Sequence, residues 1–128
     1  MGTMLGTRIP AIAFVLALML AAAPARASDE VRRRGSCSGG PGDWTLRVRR
    51  DDGALRVRFT IDDVAAGQSW QLFLSDNGTR IFSGTKSSDA AGEVRVSKRT
   101  TNRAGSDRIA ASGVNTVNGT TCEGTLTY

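Results

Sequence analysis

Apolar and polar side chains alternate along residues 44–61, which read WTLRVRRDDGALRVRFTI. A period of two in both halves of this stretch predicts two β-strands, because successive side chains of a strand point to opposite faces of the sheet. The inward set is Trp44, Leu46, Val48, Leu55, Val57, Phe59 and Ile61. These strands should form a hairpin whose apolar face the rest of the chain must cover.

The parity of this pattern restricts how the two strands pair. The apolar residues share one face if Arg49 pairs with Ala54 and residues 50–53 form a four-residue loop. This register sets Arg47 opposite Arg56 on the outer face. Four arginines should then lie together there, namely Arg47, Arg49, Arg56 and Arg58.

A second hairpin is predicted over residues 70–82, where apolar positions alternate from Trp70 and Asn77-Gly78 indicates a type I′ turn. Asp76 should lie opposite Thr79 in this hairpin. Shorter alternating patterns at 94–96, 109–111 and 122–128 predict three more strands, and no segment has a helical period. Seven short antiparallel strands separated by turns favour an all-β, two-sheet sandwich.

The strand pattern, with Trp70 at the place of the core tryptophan of the third strand, resembles the immunoglobulin and fibronectin type III superfamily. The chain departs from antibody domains, since no cysteine lies near Val57 or Ile109 and no tyrosine near Asp107. The layout of CSGGPGDW, NGT and NRAGSDR is also similar to a group of small exported bacterial proteins of unknown function. The resemblance implies an immunoglobulin-like domain over 37–128, and it carries over no function.

The first 27 residues have the pattern of a signal peptide. Arg8 precedes an apolar run of 13 residues, 11–23, which is too short for a membrane-spanning helix. Cleavage is expected after Ala27, with Ala25 as the alternative. We therefore expect a secreted or extracytoplasmic protein of one domain, preceded by a flexible basic tail at 28–36 and with no membrane span in the mature chain.

Two cysteines in an exported chain should pair. Cys37 precedes the first predicted strand and Cys122 lies in the last one, so a disulfide would connect the two ends of the domain. Two reactive thiols are the alternative, although neither cysteine belongs to a C-x-x-C motif. A Cys37–Cys122 bridge is the prediction.

Residues suited to catalysis are scarce. The sequence contains no histidine, which removes the commonest general base and zinc ligand. Asp51-Asp52 and Asp62-Asp63 should lie about 26 Å apart at the two ends of one strand, too far for a glycosidase pair. Asp43, Asp62 and Asp63 could share one end and hold calcium, but aspartates there usually cap turns. We expect no enzyme activity, metal or cofactor.

The net charge of +5 falls to +3 once residues 1–27 are removed. This balance, without an alternating aromatic and basic stripe, indicates no specific nucleic-acid binding. The four outward arginines could bind an anionic polymer of the cell envelope. Their alternative role is a solvated surface that keeps the sheet from aggregating.

A second candidate surface follows from the 70–82 hairpin. Its register sets Phe73 against Phe82 on the face turned away from Trp70, where two exposed rings would form an apolar patch. This candidate protein-binding face consists of Phe73, Phe82, Gln71 and Arg108, with Thr125 beside them. A bulge near Asp76 or coverage by loop 85–92 would instead bury one or both rings.

These observations predict a secreted, non-catalytic binding or accessory module whose partner is unknown. A protein partner, self-association and an anionic envelope polymer all fit this class. The other candidate is a small secreted enzyme inhibitor that presents a loop such as 98–105.

Overall fold

The computed structural model describes Gly2 and residues 29–128. Apart from Gly2, the predicted signal peptide at 1–27 and its cleavage sites lie outside the described residues. The described chain forms eight strands: β1 (Glu30–Ser36), β2 (Asp43–Asp51), β3 (Ala54–Asp62), β4 (Ser69–Asp76), β5 (Thr79–Ser87), β6 (Val94–Thr101), β7 (Arg108–Asn115) and β8 (Thr121–Thr127). None of residues 29–128 belongs to a helix that could cross a membrane.

Two antiparallel sheets of four strands pack face to face, in the orders β1-β2-β3-β6 and β5-β4-β7-β8. The predicted all-β, two-sheet sandwich is therefore confirmed. The core lies between the sheets, and its largest fully buried side chains are those of Trp70 and Phe59. All alternating apolar positions of β3, from Leu55 to Ile61, point into this core.

The eighth strand, β1, corrects the prediction of a flexible tail at 28–36. Glu30–Ser36 pairs along its whole length with β2. Val31 lies opposite Val48 and packs on the core, while Gly35 lies opposite Trp44. β1 forms because Val31 and Gly35 fit the β2 residues opposite them, although most of the residues of β1 are polar.

The first hairpin turns more tightly than predicted. Asp51 pairs with Ala54, and the two turn residues Asp52 and Gly53 have φ of 47° and 77°. Positive φ at both central residues defines a type I′ turn, for which Asp-Gly is a favoured sequence. The predicted pairing of Arg49 with Ala54 is therefore wrong by two residues, a shift that leaves every side chain on its predicted face.

The second hairpin has the predicted closure of Asp76 opposite Thr79. A bulge then shifts the register between Leu74 and Ser75, so that Phe82 faces Leu74 and Phe73 faces Ser83. The pairing of Phe73 with Phe82 is wrong, and the outcome is the bulge considered as its alternative. An extra residue in one strand reverses the face of the side chains that follow it.

Trp44 closes one end of the sandwich. Its ring lies against Gly35 of β1 and Gly124 of β8, where an added Cβ would come within 2.5 and 2.4 Å of ring atoms. Glycine is needed at both positions because any side chain would occupy the space of the indole. The ring thus links the two sheets next to the disulfide.

Cys37 and Cys122 form the predicted disulfide, with Cα atoms 4.3 Å apart. Cys37 follows β1 directly and Cys122 is fully buried in β8. Ser38 and Thr121 exchange backbone hydrogen bonds beside the bridge. The alternative of two reactive thiols is wrong, because the described residues contain no free cysteine.

Candidate anion-binding face

The outer face of the β1-β2-β3-β6 sheet is covered by eight arginines. The register aligns Arg32, Arg47 and Arg58 in one row across three strands, and Arg49, Arg56 and Arg99 in the next. Arg34 lies opposite Thr45, and Arg95 opposite Thr60, in a third row. We call this surface the arginine face: Arg32, Arg34, Arg47, Arg49, Arg56, Arg58, Arg95 and Arg99.

The four arginines predicted from the sequence, Arg47, Arg49, Arg56 and Arg58, share this face as expected. Their pairing differs, because Arg47 lies opposite Arg58 and Arg49 opposite Arg56. The four arginines on the flanking strands β1 and β6 were not predicted from the sequence. A signal was present in β6, where Arg95 alternates with Val94 and Val96.

Carboxylates at the edges of the face neutralise part of this charge. Glu30 forms ion pairs with Arg47 at 3.0 Å and with Arg32 at 3.2 Å. Asp51 lies 3.0 Å from Arg56 and 3.9 Å from Arg99. The hydrogen bond from Arg56 is the main reason that the pKa of Asp51 is lowered, so this carboxylate stays ionised into acid.

Among residues 29–128, three arginines of this face have no such partner. Within residues 29–128, no carboxylate oxygen lies within 4.0 Å of Arg34, Arg49 or Arg58. Arg58 lies on a central strand and is half-buried between Arg47 and Ser97. Strands are about 4.8 Å apart, and like charges at that distance destabilise a sheet by a few tenths of a kcal/mol or more. The face therefore carries positive charge that an anion would offset.

A cleft of about 180 Å³ opens on this face beside Arg58. Thr45 and Thr60 lie opposite each other at its centre, and Arg34 and Arg95 stand at their outer sides. The cleft exists because two short threonines are surrounded by long side chains. A second cleft of about 220 Å³ lies next to it, around Arg49 and Arg56.

Asp62 and Glu93 border the first cleft on its acidic side. Burial raises the pKa of Asp62 above its ordinary value, and hydrogen bonding and charge from Glu93 raise it further. Arg95 opposes this shift and forms an ion pair with Glu93 at 2.7 Å. The cleft thus places Asp62, whose carboxyl group holds its proton more tightly than usual, beside a set of guanidinium groups.

Asp43 does lie opposite Asp62, at the same end of the sheet as Asp63. Among residues 29–128, however, no group of three acidic, cysteine or histidine side chains is placed to hold a metal ion. The calcium alternative gains no support from this arrangement.

The predicted protein-binding face is divided by the bulge. Gln71, Phe73, Arg108 and Thr125 are on the outer face of the β5-β4-β7-β8 sheet, whereas Phe82 turns inward and packs against the core. The guanidinium carbon of Arg80 lies 4.4 Å from the centre of the Phe73 ring and covers it. These residues do not form an exposed aromatic pair.

The loop proposed for an inhibitor is shorter than predicted. Residues 98–101 belong to β6, and only residues 102–107 connect β6 to β7. Asp107 in this loop is fully buried.

Comparison of the chain with protein-family models and with curated proteins gives no match.

Proposed function

We propose that this protein is an exported, non-catalytic binding module whose arginine face holds an anionic polymer of the cell envelope. The observation that carries the proposal is the alignment of eight arginines from four strands on one face, three of them without a carboxylate partner among residues 29–128. Such a surface complements a chain of negative charges, which could contact several rows at once.

A solvated surface alone accounts poorly for this arrangement. Alternating charges of both signs would keep a sheet soluble at lower cost, since opposite charges attract across strands. In the central row, Glu30 pairs with Arg32 and Arg47, whereas Arg58 lies beside Arg47 with no carboxylate partner among residues 29–128. Repulsion that the fold tolerates at that place supports a role for an external anion.

The absence of histidine from the sequence supports a non-catalytic role. Export is supported by the disulfide, which is typical of oxidising compartments.

The strand order supports the immunoglobulin-like resemblance. If β2 is counted as the first strand, then the first, second and fifth strands share one sheet and the third, sixth and seventh share the other, as in that superfamily. The fourth strand, β5, joins the third, and β1 is an addition. Trp70, on the third strand in this count, is fully buried. Domains of this architecture commonly serve as binding modules.

The test is binding of the purified protein, without residues 1–27, to immobilised polyphosphate, dextran sulfate and polygalacturonate at low and high salt. Arg34→Gln, Arg49→Gln and Arg58→Gln combined should weaken binding at least about tenfold, since each removes a hydrogen bond to a charged group. The matched control combines Arg80→Gln, Arg103→Gln and Arg108→Gln, which remove the same charge elsewhere. The control should retain binding within about twofold, because distant exposed charges are screened.

Binding that is lost equally in both triple variants would show attraction to net charge alone and would refute the proposal. Wild-type protein that binds none of the three polymers at low salt would refute it as well.

A further inference from the structure

We infer that the cleft above Thr45 and Thr60 is a discrete subsite for one tetrahedral oxyanion, a phosphate or sulfate group of the polymer, held by Arg34, Arg47 and Arg58 and bound more tightly in acid because of the Asp62–Glu93 pair. This inference rests on the proposed function and adds to it the chemical class of the bound group and a dependence on pH. Three features of the cleft support it: the floor, the walls and the acidic border.

The floor offers two hydroxyl groups. Thr45 and Thr60 are opposite each other on adjacent strands, and both are half-buried. Within residues 29–128, neither threonine hydroxyl makes a side-chain hydrogen bond that would occupy it. Two free donors therefore point to the same side of the sheet, at the base of a recess.

The walls offer guanidinium groups from three directions. Arg47 and Arg58 are two residues along β2 and β3 from the threonines, about 7 Å away along each strand. Arg34 reaches the cleft from β1, and neither Arg34 nor Arg58 has a carboxylate within 4.0 Å among residues 29–128. The N–H groups of arginine are arranged in a planar fork that matches the oxygens of phosphate and sulfate.

The number of donors distinguishes a tetrahedral group from a carboxylate. A carboxylate has two oxygens in one plane, and one guanidinium can satisfy both. A phosphate or sulfate group has three or four oxygens in different directions, which suits three arginines around it and hydroxyls below it. The cleft is also a recess of about 180 Å³, small enough to hold one such group rather than a folded partner.

The acidic border makes binding depend on pH. Asp62, at the end of β3, is close to Glu93, which immediately precedes β6. The other charged groups near Asp62 are Arg95 on β6, Asp63 next to Asp62 in the chain, and Asp43 opposite Asp62 on β2. An anion in the cleft repels the ionised form of Asp62, so it favours the protonated form. By linkage, a proton on Asp62 favours the anion to the same extent. Affinity should therefore rise as the pH falls towards the range where Asp62 titrates, which lies above the ordinary range of aspartate.

The first experiment fills the cleft without changing its charge. Thr60→Phe places a ring at the centre of the floor, and Thr125→Phe on the outer face of the other sheet is the matched control. Affinity for pyrophosphate and for polyphosphate should fall at least about tenfold in Thr60→Phe, a loss comparable to that of a charged hydrogen bond, and should not change in the control. Both proteins are compared by their melting temperatures, and Arg58→Lys, which keeps the charge but not the fork, should show the same loss if Thr60→Phe is unstable.

The second experiment follows affinity for inorganic sulfate, whose own charge is constant in this range, from about pH 7.5 to about pH 4.5, which brackets a raised aspartate pKa. Removing one negative charge at about 7 Å should strengthen binding about two- to fivefold. Asp62→Asn with Glu93→Gln should bind tightly at all these pH values. Asp51→Asn is the control, because Asp51 stays ionised here and its loss should shift affinity equally at every pH.

The outcomes separate this inference from the proposed function. If polyphosphate binding is unaffected by Thr60→Phe and Arg58→Lys, or if polygalacturonate binds as tightly as the phosphate and sulfate polymers, the subsite does not exist while the arginine face remains a polyanion site. If wild-type affinity does not increase in acid, the role of Asp62 and Glu93 is refuted. If no polymer binds wild-type protein at low salt, both fail.

Discussion

Asp76 and Asp107 should make this fold less stable at neutral pH than in mild acid. Asp76 ends β4, Asp107 immediately precedes β7, and their side chains are 2% and 0% exposed. Within the described part of the chain, three of their four carboxylate oxygens have no hydrogen-bond donor. The fourth, Oδ2 of Asp76, accepts from the hydroxyl of Thr100 at 3.3 Å. Two ionised groups in this environment would be costly.

Burial is the main cause that raises the pKa of Asp76, and the charge and hydrogen bonding of Asp107 raise it further. A carboxyl group with a raised pKa binds protons more tightly in the folded state than in the unfolded state. The free energy of unfolding should therefore be highest below the unfolded pKa and decrease as the pH rises through the raised one. Each unit of that rise corresponds to about 1.4 kcal/mol of stability lost at neutral pH.

Asp76→Asn removes this penalty and supplies an amide that can donate to Asp107. We expect it to raise the free energy of unfolding at neutral pH by about 1 to 3 kcal/mol, which is the cost of burying a polar group without a hydrogen-bond partner. Its advantage over wild type should shrink as the pH falls towards about 4, because wild-type Asp76 then carries its own proton. Asp51 has the opposite effect, because its pKa is lowered. The stability that it contributes is lost only when the pH falls below the ordinary pKa of aspartate, which is outside this pH range.

The assay is urea unfolding of both proteins between about pH 4 and about pH 7.5. Asp29→Asn, an exposed aspartate before β1, is the control and should follow the wild-type profile. An Asp76→Asn protein that is less stable than wild type at pH 7, or whose stability varies with pH as wild type does, would show that the pair is held ionised and that the reasoning is wrong.

Two further predictions concern stability. Cys37→Ser with Cys122→Ser should lower the free energy of unfolding by about 2 to 4 kcal/mol, somewhat below the loop-entropy value of about 4 to 5 kcal/mol for 85 residues, and two free thiols in non-reducing mass spectrometry would contradict it. Phe82→Ser, which empties a place beside the core, should cost about 1 to 3 kcal/mol. Phe73→Ser should cost less than about 1 kcal/mol because it loses mainly the contact with Arg80, and thermal unfolding that ranks the two variants in the reverse order would contradict the bulged register.

The sequence could predict faces better than registers. Side-chain direction has a period of two, so the inward positions of β2 and β3 follow from apolar residues alone. The exact pairing is decided by the turn, and Asp52-Gly53 closes a two-residue loop that parity cannot distinguish from a four-residue one. The same limit applies to Phe82, whose face depends on one extra residue near Ile81.

The strand β1 could not be recognised from its own residues. Of the inward positions of Glu30–Ser36, Val31 is the only apolar residue larger than glycine. Its stability comes from its partner: Val31 covers Val48, and Gly35 leaves room for the ring of Trp44. A segment that depends on the neighbouring strand for its apolar contacts has the composition of a tail. Half of the missed arginines, Arg32 and Arg34, were missed for this reason.

The anchoring of β1 connects the disulfide to the candidate site. β1 is an edge strand, held to the rest of the sheet by β2 alone. Cys37 follows it directly and ties its end to β8, while Trp44 packs between Gly35 and Gly124 beside the bridge. Arg34 lies three residues before Cys37, so the part of β1 that borders the cleft is the part nearest to this anchor. A weakly apolar, strongly basic strand would otherwise fray from the sheet, since backbone pairing at an edge is easily opened. The bridge that closes the domain thus also fixes one wall of the cleft above Thr45 and Thr60.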